Sequence, residues 1–152
     1  MLKKGSKNIP VITTQGNTDV KVRLKYLNEK ERYAVLATDS DGQPFTSLIA
    51  YALTENLNGV IFATPKNTGK YKNILKNPRV SVLIDSRWNS DCDYLNTESV
   101  TIIGTAHSLR KGRKRKELSS VLMKKHSKLS TFIKSSTTAL ILISVTQCVH
   151  VV

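Results

Sequence analysis

Apolar residues along this chain follow first a helical and then a strand rhythm, and the changes of rhythm mark its elements. Val20, Leu24 and Leu27 recur at i, i+4 and i+7, which predicts a short amphipathic helix from Asp19 to about Lys30. The period then shortens. Tyr33 to Thr38 reads as a strand, closed by the turn Asp39-Ser40-Asp41-Gly42, where Asp-Gly supplies the positive φ of a hairpin. Pro44 to Leu53 reads as a second strand, with proline at its start where no ladder donor is needed. Asn56-Leu57-Asn58-Gly59 predicts another hairpin turn, and Val60 to Thr64 a third strand.

A polar loop from Pro65 to Gly69 leads into a helix over about Thr68–Lys76, with Tyr71, Ile74 and Leu75 as its expected buried stripe. Asn77-Pro78 stops it, because the residue before a proline disfavours the α region. Arg79 to Asp85 predicts a fourth strand, a polar loop runs through Trp88 and Cys92, and Ser99 to Ala106 predicts a fifth. One or two helices follow, carrying Leu118, Val121 and Leu122, then Leu129, Phe132 and Ile133. A last strand covers Ala139 to Val145. Six strands, several joined by hairpins, leave too few helices for repeated βαβ units. An antiparallel β-barrel with short helices around it is the expected fold, since closure removes exposed edges.

The chain has 152 residues, enough for one domain with a proper core. Residues 1–18 mix Lys, Gly, Asn, Thr and Pro without periodicity and predict a mobile arm ahead of a single domain over 19–152. No apolar run nears the ~20 residues of a membrane helix. Met1-Leu2-Lys3-Lys4 is followed by no apolar core of a signal peptide, and Cys92 and Cys148 are too few for a disulfide scaffold, so a cytoplasmic location is expected.

The net charge of +13 is concentrated. From Arg110 to Lys134 there are ten basic residues and one acid, Glu117. That segment reads either as a phosphate-contacting face for nucleic acid or another polyanion, without turnover, or as the solvated side of a helix. No aromatic residue interleaves Arg110 to Lys116, as stacking on single strands would require. His107, His126 and His150 lie far apart and form no ligand pair, so no metal site is expected.

The segment with the most chemistry is Thr64-Pro65-Lys66-Asn67-Thr68-Gly69-Lys70, which joins a strand end to a helix start. Free amides and the positive end of the helix dipole, two hydroxyls, two lysines and a glycine that admits close approach make a cradle for a phosphate monoester. The alternative is an N-cap by Asn67 or Thr68 beside two solvated lysines. The Gly-x-x-x-x-Gly-Lys-[Ser/Thr] spacing of a P-loop is absent.

The order of Asp41-Gly42-Gln43-Pro44, Phe62-Ala63-Thr64, Thr68-Gly69-Lys70 and Asn77-Pro78-Arg79-Val80-Ser81-Val82-Leu83 resembles the FMN-binding split-barrel family related to pyridoxamine 5′-phosphate oxidase. The resemblance runs from about Tyr33 to the C-terminus, and Asp85-Ser86-Arg87-Trp88-Asn89 is similar to small relatives within it. It implies a six-stranded antiparallel split barrel and a homodimer with FMN at the interface. Thr64, Thr68 and Lys70 would meet the phosphate, with Lys66 beside them. Ser47, Leu48, Ile49, Ala50 and Tyr51 would run along the flavin and ribityl chain, partly through backbone groups, and Arg87 would lie near the ring or the subunit boundary. An oxidoreductase is implied, with haem or a deazaflavin as cofactors that related barrels accept. Three departures stand out: Ser47 and Ala52 replace basic residues, Gly69 replaces an arginine, and the substrate-phosphate segment has no match in Lys111 to Ser136. The resemblance therefore does not carry pyridoxamine-phosphate oxidation with it.

Overall fold

The computed structural model describes residues 9–13, 19–87 and 97–151. In chain order they form β1 (Val11–Thr13), α1 (Val20–Lys30), β2 (Tyr33–Ser40), β3 (Gln43–Leu53), β4 (Gly59–Pro65), α2 (Gly69–Lys76), β5 (Arg79–Asp85), β6 (Ser99–Ser108), α3 (Arg113–Lys125), α4 (Ser130–Lys134) and β7 (Thr138–Val151). The order around the sheet is β1-β7-β4-β3-β2-β5-β6, and β6 pairs back onto β7. Six strands thus close an antiparallel barrel, as the sequence predicts. β1 is the addition. Its three residues, placed by the sequence reading in a mobile arm, pair in parallel with Cys148 to His150. Residues 1–8 and 14–18 of that arm, and the Trp88 and Cys92 loop, lie outside the described residues.

The β2–β3 hairpin turns on Asp41 and Gly42, both at positive φ (51° and 90°), and the Asp39 carboxylate accepts from the Gly42 amide at 3.1 Å. Strands β4 and β7 read as continuous apolar runs because both of their faces are covered. Val60, Phe62, Ile141 and Ile143 point into the barrel with Leu36, Tyr51, Val82 and Ile102. Ile61, Leu140 and Leu142 point outward under Leu122 of α3 and Ile133 of α4. Helices α1 and α2 give Val20, Leu24, Leu27 and Ile74 to the interior cluster.

Two expectations need correction. Leu75 is 61% exposed rather than part of the α2 stripe, and Asn73 takes the buried place, donating to the Thr38 hydroxyl at 3.1 Å. The helix is short and turned so that its inward residues meet β2, whose Thr38 offers a polar partner. The last strand also runs on to Val151, past a bulge opposite Ile103 and Gly104. Only glycine fits at 104, because a Cβ there would collide with the Ser144 carbonyl. No helix among the described residues is long and apolar enough to cross a membrane.

One polar cluster is sealed into this fold. The buried Glu98 carboxylate accepts from Arg23 Nε at 3.0 Å and from His150 Nε2–H at 3.2 Å, with a second Arg23 nitrogen on its other oxygen. The Arg23 bond lowers the Glu98 pKa against the opposing effect of burial, and His150 lowers it further. A carboxylate whose folded pKa is depressed stabilises the native state above its unfolded pKa of about 4.3 and loses that contribution as pH falls through the folded value. Glu98→Gln should therefore cost on the order of 2–4 kcal/mol at neutral pH. It should also flatten the decline of stability below about pH 4.3, read from denaturant midpoints against pH. An unchanged acid slope would show that other carboxylates dominate.

Candidate functional site

The sheet is not fully laddered. β3 pairs with β2 along its whole length from Gln43 to Ala50, and β4 pairs with β7 along all of Gly59 to Pro65. Between β3 and β4, however, only Tyr51, Ala52 and Leu53 meet Phe62, Ile61 and Val60. Beyond Tyr51 and Phe62 the two strands part, and this is the split of the barrel. Ser47, Leu48, Ile49 and Ala50 therefore keep one strand edge whose backbone groups have no β4 partner. Backbone donors and acceptors left in this way require water or a ligand. The Ile49 and Tyr51 side chains are buried in the core, whereas Leu48 is 66% exposed and Ser47 and Ala50 are half-buried.

The chain leaves β4 at Thr64 and Pro65 and enters α2 on the far wall of this split. Thr68 is the N-cap of α2, and its Oγ1 accepts from the Tyr71 amide at 3.4 Å. Thr68 Oγ1 also donates to the Pro65 carbonyl at 2.9 Å, and the fully buried Thr64 hydroxyl lies 2.9 Å from Thr68 Oγ1 and 3.3 Å from that same carbonyl. Thr64 thus orients the cap from below. Of the two local readings, the cap is realised, and by Thr68 rather than Asn67. Capping at Tyr71 leaves the first-turn amides of Gly69 and Lys70 as the open donors of the helix end. A Cβ at Gly69 would meet nothing within 4 Å, so the backbone there is open to close approach. Lys66 turns the other way: its amide donates to Thr137 O at 3.0 Å and its ammonium to Ser136 O at 3.2 Å.

Arg87 stands elsewhere. Its guanidinium forms a two-pronged pair with Asp85, Nε to Oδ1 at 2.8 Å and a terminal nitrogen to Oδ2 at 2.7 Å. This fork holds the Asp85 carboxyl below its ordinary pKa. Both residues line a cleft of about 540 Å³ together with Glu31, Tyr33, Val35 and Leu48. Leu48 is thus shared between the open edge of β3 and this cleft, while Thr64, Thr68 and Lys70 lie outside it. Glu31 is buried with its pKa raised, chiefly by burial and then by the Asp85 charge.

Helices α1 and α3 fix the point where β3 and β4 part. The Tyr51 hydroxyl donates to Leu27 O at 3.4 Å, and His126 Nε2–H donates to Tyr51 O at 2.7 Å. Lys125 Nζ lies 3.7 Å from the centre of the Tyr51 ring and donates to Asn28 Oδ1, which also accepts from the Leu53 amide. Burial pushes the Lys125 ammonium down to about 7, partly opposed by Glu31. Nothing in the sequence pattern marked Glu31, Asn28, Lys125 or His126, because each is an ordinary polar residue on a helix end until the fold brings it to β3. Among the described residues, no group of three His, Cys, Asp or Glu side chains is placed to hold a metal ion.

An antiparallel six-stranded barrel opened along one strand pair, with a capped helix at the opening, defines the split-barrel class. The family model described as pyridoxamine 5′-phosphate oxidase matches residues 21–151, and the chain belongs to that family. No curated protein sequence matches it. Among solved structures, the fold is similar to HutZ, the heme storage protein from Vibrio cholerae (13% identity, 84% of this chain and 91% of that one, TM-score 0.71). It is similar to a FAD-binding protein from Mesorhizobium loti (20% identity, 84% and 90%, TM-score 0.67). A heme binding protein from Mycobacterium smegmatis also shares it (20% identity, 78% of this chain and 51% of that one, TM-score 0.66).

Proposed function

We propose that this protein is an FMN-binding flavoprotein of oxidoreductase type, a cytoplasmic homodimer with its flavin at the split between β3 and β4. The observation that carries the reading is the end of the β3–β4 ladder at Tyr51 and Phe62, directly beside the capped start of α2. A flavin monophosphate has matching parts: a planar ring edge with hydrogen-bonding groups and a dianion at the other end. The edge of Ser47 to Ala50 would take the ring and ribityl chain. The amides of Gly69 and Lys70 and the Lys70 ammonium would take the phosphate, and the Thr68 hydroxyl would join them by turning its proton away from the Pro65 carbonyl, with Thr64 beside it. Bound flavin supplies the hydride or electron transfer, and the chain supplies position, charge and exclusion of water. Arg87, committed to Asp85, contributes as a wall of the adjoining cleft.

The outer face of the same strands supports the dimer. Tyr33 and Leu48 are 49% and 66% exposed on the outer side of the β2–β3 hairpin, and a second copy would cover them and dry the flavin edge. A monomer at micromolar concentration in sedimentation would remove the dimer from this account.

Haem is the competing ligand, since two of the similar structures are described as haem proteins. His126 and His150 are buried and committed to Tyr51 O and Glu98, and His107 Nε2 is 3.0 Å from Ser144 Oγ on the β6–β7 pair. His126 reaches the edge of the split, but its Nε2 is committed to the Tyr51 carbonyl, and His107 and His150 stand on the β6–β7 side, which favours flavin over haem.

Titration of the apo-protein with FMN, riboflavin and hemin distinguishes these ligands. Lys70→Ala should weaken FMN by about 1.5–3 kcal/mol, or roughly one to two decades in affinity, and riboflavin far less. Lys66→Ala should act in the same direction more weakly, because its ammonium already has a carbonyl partner. Equal losses for FMN and riboflavin would place Lys70 away from the phosphate. Saturable hemin binding without any flavin binding would replace the cofactor.

A further inference from the structure

The cleft walled by Arg87 has two unlike ends, and the first is apolar. Val35 on β2 is the register partner of Leu48 on β3 and of Leu83 on β5, so these side chains stand abreast on the outer face of the sheet. Val35 and Leu48 line the cleft, with Tyr33 two residues before Val35 on the same face. They give it a flat floor. Leu48 carries that floor to the open edge of β3.

The second end is charged, where α1 stops and β5 ends. Lys30, Arg32 and Arg87 stand there with Asp85 and Glu31. Asp85 is committed to Arg87 through both carboxylate oxygens and also accepts the Arg87 amide at 3.0 Å. Arg87 keeps donors in hand. It uses Nε and one terminal nitrogen, the other terminal nitrogen makes no hydrogen bond among the described residues, and the side chain is 58% exposed. The fork therefore fixes the direction of an N–H edge that is still open. Burial and the Asp85 charge bias Glu31 toward its neutral form. With Glu31 neutral or ionised, the lining stays net positive, since three cations face at most two anions. An amine would meet like charge here and an acid already taken. A carboxylate would meet the open edge of Arg87, with Lys30 and Arg32 on the rim.

We propose that this cleft binds a small carboxylate with a planar apolar body, its charge at Arg87 and its body on the Val35–Leu48 floor. The binding itself does not rest on the flavin reading. The role does: the body would point toward the β3 edge assigned to the flavin ring, which makes this ligand the flavin's substrate. Arg87 would hold the substrate by the end remote from the reaction and so orient it. A second copy over Tyr33 and Leu48 would close the cleft and exclude water from it.

The probe is 2-naphthoate, with 2-naphthylmethylammonium as a similar body carrying the opposite charge. Both are titrated into the full chain at about 0.15 M salt, which screens the general attraction of a +13 protein for anions. Naphthoate should bind the FMN-free chain saturably, and about tenfold or more tighter than the ammonium. It should also bind the FMN-loaded chain and shift the visible spectrum of the flavin. Arg87→Gln should weaken naphthoate by about tenfold or more. Loss of Arg87 leaves Asp85 without its partner, so Lys30→Gln combined with Arg32→Gln is the second variant. These exposed cations should together carry about threefold in affinity, at unchanged melting temperature. No saturable naphthoate binding, a preference for the ammonium, or affinity indifferent to both variants overturns the proposal. Displacement of naphthoate by FMN also overturns it, because the flavin itself would then fill the cleft. An unshifted flavin spectrum at saturating naphthoate removes the substrate role. Arg87-dependent naphthoate binding by a chain that takes up no FMN supports the carboxylate site and refutes the flavin reading alone.

Discussion

Every backbone amide and carbonyl of a strand needs a partner, and β3 loses one set of partners at a defined residue. Up to Tyr51 it is laddered to β4; from Ala50 back to Gln43 it has β2 alone. The other features of the site depend on this break. It opens the wall between β3 and β4, leaves the loop after Thr64 free to turn into α2, and exposes Leu48 on the outer face. The break is enforced rather than accidental. Asn28 accepts from the Leu53 amide, His126 donates to the Tyr51 carbonyl, and Lys125 lies on the Tyr51 ring. Two helices from distant parts of the chain thus hold the last laddered residues while the strand beyond them is released.

Strands and helices were legible in the sequence because their apolar periods differ. Val20, Leu24 and Leu27 all pack inside, and the Asp41-Gly42 turn has the positive φ values that its residues allow. Closure of the barrel followed from counting hairpins. The split itself was not readable from pattern, since a strand that pairs on one edge has the same alternation as one that pairs on both. Only the resemblance pointed to Ser47 through Tyr51 as a functional stretch. β1 was missed because three residues carry no measurable period. The end of β7 was missed because the bulge near Gly104 shifts its phase, although Cys148 and His150 resume an inward alternation beyond it.

Polar residues were the least legible. Glu98 and His150 are 52 positions apart and look like unrelated surface groups until β6 and β7 bring them together. Arg87, expected near the flavin ring or the subunit boundary, takes its geometry from Asp85 two residues earlier. Arg115 stood in a run of equivalent cations, and only the fold separates it as a strut to Thr138 from its exposed neighbours. In each case the partner, not the residue type, decides the role, and partners across the barrel are not encoded in local spacing. Thr68 is the exception: a threonine at a strand-to-helix junction caps the helix for reasons that its immediate neighbours supply.

Hydrogen exchange across the Ser47–Ala50 segment, followed with and without FMN, tests the open β3 edge and its role most directly. The account predicts that this segment exchanges much faster than Val60–Phe62 in the free protein and gains protection at saturating FMN. Protection equal to that of Val60–Phe62 without ligand would mean that the edge is already paired. No change at saturating FMN would mean that the open edge is not where the flavin binds.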